Sequence, residues 1–476
     1  MVMGELAQET GLLVIGGGPG GYAAAFRAAD LGLDVTLVEI AERPGGVCLF
    51  RGCIPSKTYL YLSELIFDAR RAGSMGLTFS EPKIDLEGIR NWKASVVNKL
   101  SSGLLTLTQQ RGVQLLRGRA TFDGPDTVRL HDAEISRIKF KHAIIATGSH
   151  PIAFPGVPRK KESRVISSTE ALDLPDVPEK LLVIGGGYVG LELGSVYASL
   201  GSRVTLIEHG KHLLPGVDKD LVRVLKKRID TIFTAIELES EILSLDEQAH
   251  QVAVTYKKGG EEHTETFDRV LTAIGRKPNT SGLGLETADV KMNENGFIII
   301  DEQQRTSNPH IFAVGDVVGG AMLAHKASRE GKVAAEVIAG QPSAFDVRAM
   351  PAVVYTDPQI AWCGITETEA KEQGRAVEIK RFPWKISGRA ATMGLDDGLT
   401  KMIIDAETRR ILGVGIVGRA TEGLIAEAVL AIEMGALVDD MALSIHPHPT
   451  LSETESEVAE IFLGSATHIL SPAKKK

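Results

Sequence analysis

Leu12-Leu13-Val14-Ile15-Gly16-Gly17-Gly18-Pro19-Gly20-Gly21, an alanine-rich run over residues 22–31, and Asp34-Val35-Thr36-Leu37-Val38-Glu39 together decide the fold class. A short apolar run, a glycine turn, a helix-forming segment and a second apolar run ending in an acid read as strand, turn, helix, strand. Gly16 suits the tight turn, Gly18 lets the backbone approach a pyrophosphate at the helix N-terminus, and Gly21 lets helix and strand pack closely. Glu39 stands where it can accept a hydrogen bond from a ribose hydroxyl. The plain alternative is a generic strand-helix turn, and the acid that ends the second run weighs against it.

The design recurs 169 residues later. Leu181-Leu182-Val183-Ile184 leads into Gly185-Gly186-Gly187-Tyr188-Val189-Gly190, a helical stretch to residue 200, and Arg203-Val204-Thr205-Leu206-Ile207-Glu208. Gly185, Gly187, Gly190 and Glu208 are the counterparts of Gly16, Gly18, Gly21 and Glu39, so the chain reads as two dinucleotide-binding units. A carboxylate at Glu208 accepts from a free 2′-hydroxyl and repels a 2′-phosphate, which favours NAD over NADP. His209 and Lys211 follow closely and soften that preference.

Directly after the first unit comes Gly45-Gly46-Val47-Cys48-Leu49-Phe50-Arg51-Gly52-Cys53-Ile54-Pro55-Ser56-Lys57. Five residues of regular helix rise roughly 7.5 Å, beyond the roughly 7 Å at which two Cα atoms can be bridged by sulfur. A bond between Cys48 and Cys53 therefore demands a non-helical entry, for which the glycines supply freedom, while Pro55 is tolerated in a first helical turn. A structural staple or two free core thiols are the bland alternatives. With only 3 cysteines in 476 residues the chain is no disulfide scaffold, and in a reducing compartment a lasting pair is more often catalytic. Lys57 beside the pair would favour a thiolate. A redox pair at this place suggests that the first unit holds a flavin against the sulfurs and the second a nicotinamide. Cys363, isolated beside Trp362, is most simply a buried thiol.

A chain of 476 residues, 43% of them hydrophobic, suits roughly three domains with real cores. The net charge of -8 disfavours nucleic acid, and the terminal basic run Lys474-Lys475-Lys476 is most simply a solvated end. No signal pattern opens the chain and its apolar windows are short or interrupted, so no membrane association and a cytoplasmic location are expected. Residues 59–71 and 86–110 read as long helices, and residues 113–147 as short strands ending in Ala143-Ile144-Ile145-Ala146-Thr147-Gly148-Ser149. Val270 to Asn279 ends the second unit in the same way. Residues 151–180, with five prolines, form a plausible linker. The chain then returns with a strand ending in Gly315-Asp316, whose acid could cap a helix or bind a cofactor hydroxyl, followed by a helix over 323–339. Turn residues 340–343 mark a boundary. Beyond it, strands at 352–355, 400–405 and 411–417 alternate with helices at 366–373 and 421–434.

Near the C-terminus stands His446-Pro447-His448-Pro449-Thr450-Leu451-Ser452-Glu453. Thr450-x-x-Glu453 fits a capping box, and a histidine near a helix start is often merely satisfied. A histidine and a carboxylate five residues apart also suit an oriented base, the carboxylate fixing the tautomer. The residues alone leave both open.

Taken together, these motifs resemble the flavin-dependent pyridine-nucleotide disulfide oxidoreductases over nearly the whole chain. The carriers are Gly46-Val47-Cys48 through Lys57, both glycine units, Ala146-Thr147-Gly148, Gly275-Arg276-Lys277-Pro278-Asn279, Gly315-Asp316, Met322-Leu323-Ala324-His325-Lys326, Tyr355-Thr356-Asp357-Pro358 and His448 through Glu453. The resemblance implies an α/β fold: two Rossmann-like dinucleotide-binding domains, for FAD and NAD, plus a C-terminal α+β dimerisation domain. Implied boundaries are 1–150 and 275–345 for the FAD domain, 151–274 for the NAD domain and 346–476 for the interface. Cys53 would face the flavin and Cys48 exchange with a substrate dithiol. Lys57 and Glu192 would pair near the flavin N5. Asp316 would bind the ribityl chain, with Thr147, Gly148 and Ala324 also on FAD and Gly275 on NAD; no metal is implied. His448, oriented by Glu453, would act across a homodimer interface as the base. The implied activity is oxidation of dihydrolipoamide to lipoamide with NAD, the lipoyl group being carried by a separate protein of a 2-oxo-acid dehydrogenase or glycine cleavage complex.

Phe50 and Arg51 depart from the Asn and small apolar residue common in the family. Arg51 could depress a thiolate pKa or point to solvent. Members acting on glutathione would prefer basic residues where Glu208 stands, and members with a C-terminal cysteine pair are excluded because no Cys follows Cys363. Reduction of another small disulfide, or a flavin sensor without turnover, are the remaining alternatives.

Overall fold

The computed structural model describes residues 7–132, 135–157 and 162–470. Pro158 of the expected linker and the basic tail Lys474 to Lys476 lie outside the described residues.

Leu12 to Ile15 become the centre of a parallel sheet because four consecutive apolar side chains are buried on both faces. Strands Gln114–Arg117, Val35–Glu39, Ala7–Ile15 and Arg137–Ile145 lie side by side and parallel, and Ile311–Ala313 returns from far along the chain to pair with the end of the last. Successive side chains of a strand point to opposite faces. Leu12 and Val14 accordingly pack on helices Pro19–Asp30 and Ala324–Ile338, while Leu13 and Ile15 pack on the antiparallel ribbon Arg119–Phe122 and Thr127–His131. Full burial of one such side chain is worth roughly 1.5–3 kcal/mol.

The second unit repeats this frame. Ala235–Glu237, Arg203–Ile207, Lys180–Ile184, Arg269–Thr272 and Val165–Ser167 form a five-stranded parallel sheet. Leu181 and Val183 face helices Tyr188–Leu200 and Lys219–Ile232, and Leu182 and Ile184 face the ribbon over residues 240–267. Val165–Ser167 and the helix Ser168–Asp173 correct the expectation that residues 151–180 are only a linker. Three residues are too few to show a period, and their strand is made by its neighbour. Ser149–Pro151 and Arg276–Pro278, the two segments that cross between the units, pair with each other.

The last third is a five-stranded antiparallel sheet, ordered Ala352–Val354, Gln359–Gly364, Ile411–Gly418, Leu399–Asp405 and Val377–Pro383, against helices Thr421–Met434 and Glu453–Leu463. Gln359–Gly364 and Val377–Pro383 escape the sequence pattern. The second is an edge strand, where charged residues and Pro383 are tolerated. Lys401, 1% exposed, ties this sheet to the second unit: its Nζ lies 2.6 Å from Asp218, 2.8 Å from Asp220 and 3.0 Å from Glu367. Burial works against ionisation of Asp220, but Lys401 and Arg381 outweigh it and hold its carboxyl below the usual range. The three acids are near enough to one another to suit a cation, and the lysine ammonium already fills that place.

Candidate active site

The cysteine segment forms two helices, Gly46–Arg51 and Cys53–Arg71, broken at Gly52. A Cβ on Gly52 would lie 3.0 Å from the Val47 carbonyl oxygen, so the break needs a residue without a side chain. The expected non-helical entry is therefore present, with Pro55 in the first turn of the second helix. Cys48 and Cys53 are half-buried, and each thiol is close enough to act on the other's ionisation. That mutual interaction is the main reason their acidities part. The Cys48 hydrogen bond, helped by the Lys57 ammonium, brings the Cys53 thiol down to about 7 against the opposing effect of burial. Cys48 is pushed up, by its bond to Cys53 and then by burial. Cys53 also begins a helix of 19 residues, whose N-terminus favours negative charge.

One turn on, Lys57 Nζ lies 2.8 and 3.0 Å from the two carboxylate oxygens of Glu192. Glu192 is 2% exposed, on the first helix of the second unit. The Tyr355 backbone N–H donates to its Oε1 at 2.9 Å, and Lys57 Nζ sits 4.4 Å from the Tyr355 ring centroid. Three separated parts of the chain thus converge on one buried carboxylate.

The sulfurs lie at a cavity of about 800 Å³ that runs past Gly16, Gly18 and Glu39 and past Thr147, Gly148, Asp316 and Ala324 to Cys48, Cys53 and Lys57. Gly21 lies outside this lining. A Cβ on it would fall 1.7 Å from the Gly16 oxygen, so its service is helix-strand packing. The cavity suits FAD. A Cβ on Gly18 would meet nothing closer than 3.8 Å and one on Gly148 nothing within 4 Å, so both leave room for a ligand at the backbone. Glu39 braces the glycine loop, accepting from Gly17 N at 2.6 Å and Ala41 N at 3.0 Å. Asp316 accepts from Ser149 Oγ, which in turn accepts from Arg276 Nε at 2.7 Å.

A second cavity, about 530 Å³, is lined by Gly185, Gly187, Glu208, His209 and Gly275. A Cβ on Gly187 would meet nothing within 4 Å, and Glu208 accepts from Gly186 N and Gly210 N, each at 2.6 Å. Gly190, like Gly21, is spent on packing, its Cβ falling 2.1 Å from the Gly185 oxygen. An NAD-sized ligand fits this groove. Tyr188 and Arg276 line both cavities, and neither was singled out from the sequence as a site residue. The signal was present, since Tyr188 is the first residue of the second unit's helix and Arg276 follows Gly275. Burial pushes the Tyr188 phenol up to about 12, so it stays neutral between the two sites.

His448 and Glu453 meet, Nδ1 to Oε1 at 2.8 Å, while Glu453 Oε2 accepts from Thr450 N at 2.7 Å. The oriented imidazole is therefore present, whereas the capping box is not: the helix begins at Glu453 after Ser452 with no side-chain cap, and of the box only the Thr450 N–H to Glu453 bond forms. Burial works to raise the Glu453 pKa, but the Thr450 N–H and His448 outweigh it and hold the carboxyl below the usual range. A carboxylate accepts, so Nδ1 carries the hydrogen and Nε2 is left with its lone pair. The ring is 72% exposed, and neither residue lines the cavity of the sulfurs within one chain. Cys363 is buried, and burial pushes its thiol up to about 12.

Residues 10–331 match the model of the pyridine nucleotide-disulphide oxidoreductases, and residues 350–459 match the dimerisation domain of the same group. The chain is 46% identical over 466 residues to a dihydrolipoyl dehydrogenase of Vibrio parahaemolyticus, covering 98% of this chain and 97% of that one. It is 45% identical over 472 residues to a dihydrolipoyl dehydrogenase of Geobacillus stearothermophilus, covering 99% and 100%. Among solved structures, LpdA of Mycobacterium tuberculosis superposes with a TM-score of 0.88 at 27% identity, over 95% of this chain and 99% of that one. The HOCl-induced flavoprotein disulfide reductase RclA of Escherichia coli does so with 0.84 at 26%, over 94% and 99%.

Proposed function

The chain belongs to the pyridine nucleotide-disulphide oxidoreductase family, and from that premise we propose that it oxidises dihydrolipoamide to lipoamide through Cys48, Cys53 and FAD, with NAD as final acceptor. The observation that carries this reading is one cavity lined by both cysteines, by Lys57 and by the first glycine loop with Glu39. Residues 1–150 and 275–345 form the FAD domain, 151–274 the NAD domain, and 346–476 the interface domain of a homodimer. FAD, when bound, takes two electrons from the protein dithiol and passes them to NAD as hydride.

The chain's own residues do the sulfur chemistry. His448 Nε2, the free acceptor of an imidazole whose Nδ1–H is held by Glu453, takes a proton from a dihydrolipoamide thiol. The thiolate attacks Cys48 Sγ of the oxidised pair, the Cys48–Cys53 bond breaks, and its electron pair stays on Cys53 as thiolate. Lys57, held by Glu192, faces that charge with its own. The second substrate thiol attacks its neighbour in the mixed disulfide and closes the lipoamide S–S bond. Cys48 departs with the electron pair and takes up the first proton from His448, and the imidazole so freed takes the proton given up by the second thiol, leaving Cys48 as thiol and Cys53 as thiolate. Because His448 is exposed and does not line its own chain's sulfur cavity, the base for each pair comes from the second copy. Glu208 selects NAD, with its carboxylate already oriented by two backbone N–H groups.

The lipoyl group is borne by a separate protein of a 2-oxo-acid dehydrogenase or glycine cleavage complex, met in the cytoplasm. Among the described residues no helix is long and apolar enough to cross a membrane. Anaerobic titration of the yellow holoenzyme with dihydrolipoamide, then NAD, tests the assignment. Bleaching followed by NADH formation is expected. A flavin that bleaches and never turns over points to a sensor instead, and one that no dithiol reduces overturns the substrate.

A further inference from the structure

The loop that carries His448 holds a second histidine two residues earlier, and the two are used in opposite ways. His446 is 7% exposed at its side chain where His448 is 72% exposed. His446 Nδ1 lies 2.9 Å from the Ser444 carbonyl oxygen, and Nε2 lies 2.9 Å from Glu427 Oε1. Carbonyl and carboxylate oxygens only accept, so both ring nitrogens face acceptors of the protein itself and neither is open to a substrate thiol. His448 keeps one nitrogen free. The other histidine of this loop is thus spent on holding the chain in place.

What it holds is the start of the loop. Glu427 sits on helix Thr421–Met434, so the contact fastens the loop to an element anchored in the C-terminal core. The far side of the loop is fastened separately. Thr450 Oγ1 donates to the Pro447 carbonyl at 2.8 Å and Thr450 N to Glu453 at 2.7 Å. His448 therefore lies between two fixed points, one made by Thr450 and Glu453 and the other by Glu427 alone. Glu455, which feels the charge of Glu427, is fully buried and neither of its oxygens has a hydrogen-bond partner, so it does not compete for the ring. A charge-assisted hydrogen bond from an imidazole to a carboxylate is about twice as strong as a neutral one and sets direction as well as distance.

We propose that His446 and Glu427 form a positioning pair for the dithiol half of the reaction, fixing the loop so that His448 Nε2 is presented to the substrate thiol. This rests on the role assigned above to His448. The pair touches neither cofactor cavity, since neither residue lines one. Its loss should then slow the step that uses His448 and leave electron transfer from NADH to an artificial acceptor alone.

The test uses purified holoenzyme carrying Glu427→Gln, His446→Gln, the double substitution, and Glu427→Asp. For dihydrolipoamide oxidation, kcat should fall about tenfold in each of the first two, with KM changed less than twofold. The double variant should fall no further than either single one, because both remove the same contact. Glu427→Asp, which keeps the charge, should recover most of the rate. NADH-ferricyanide activity and FAD content should stay within twofold of the parent throughout. Unchanged dithiol oxidation in Glu427→Gln would overturn the proposal, and so would a parallel loss of ferricyanide activity, which marks general destabilisation. Should His446→Gln not fold, Glu427→Gln on the protein's surface decides alone. His448→Gln is the control on the premise: if it oxidises dihydrolipoamide at the parental rate, the role of His448 fails, whereas its inactivity beside a fully active Glu427→Gln sinks only the pair.

Discussion

The two glycine units of this chain are the same device installed twice, and they diverge at the residue where the device ends. In the first, Gly16 has φ of 101° and Glu39 accepts from Gly17 N; in the second, Gly185 has φ of 108° and Glu208 accepts from Gly186 N, both bonds 2.6 Å long. A Cβ at either glycine would strike the backbone of the neighbouring strand, at 2.4 Å and 2.5 Å. Even the faces of the central strands match, with Leu12 and Val14 turned to helices as Leu181 and Val183 are. After Glu39 the first chain segment runs into the broken helix with its sulfurs, whereas after Glu208 it runs to Asp218 and the buried contact with Lys401. The frame holds a dinucleotide, and the segment appended to it decides whether the dinucleotide meets a redox pair or an anchor.

Substitutions that spare the frame and remove the appendage sharpen this contrast most. Cys48→Ser and Cys53→Ser should each retain FAD and lose dihydrolipoamide oxidation by at least about a thousandfold, since no covalent route remains. Steady-state rates beside the flavin absorbance check this, and equal activity would break the contrast. Next in size is the anchor. Lys401→Ala leaves three clustered acids without their cation, and loss of one partner of a buried ion pair costs about 3–5 kcal/mol. Thermal unfolding should begin earlier, with hydrogen exchange rising over residues 203–237 before it rises over residues 7–39. Smaller again, Glu208→Ala should raise KM for NAD about tenfold with FAD retained, whereas Glu39→Ala should weaken FAD. Finally, alkylation of the reduced protein by iodoacetamide should rise with pH around a midpoint near 7, as the Cys53 proton is lost. Cys48→Ser keeps a donor at this place and should leave the midpoint low, whereas Cys48→Ala removes it and should move the midpoint up.

Much of this was legible because it is local. The glycine spacing, the need for a break between the cysteines, and the long helices all follow from constraints spanning fewer than thirty residues. The break falls at Gly52, between the two sulfurs, as the rise of a helix requires. What escaped is non-local. Val165–Ser167 is a strand only because Arg269–Thr272 lies beside it. Lys401 reads as an ordinary lysine in a strand until Asp218, Asp220 and Glu367 close around it. Tyr188 and Arg276 matter because two cavities happen to share them, and His446 has its partner 19 residues back on another helix. The His448–Glu453 pair stood between two readings because the same spacing serves a capping box and an imidazole, and only where the helix begins, at Glu453 rather than just after Thr450, separates them.

Glu192 carries one more consequence. Its carboxylate receives Lys57 from the first unit and the Tyr355 N–H from the last third, while its own backbone belongs to the second. Exchange of parts between homologous chains is therefore constrained at a single side chain: a nicotinamide module grafted from elsewhere has to arrive with an acid at this position. Without one, the lysine beside the sulfurs loses its counter-ion, and loss of activity is expected of such a graft however faithfully its own glycine turn is kept.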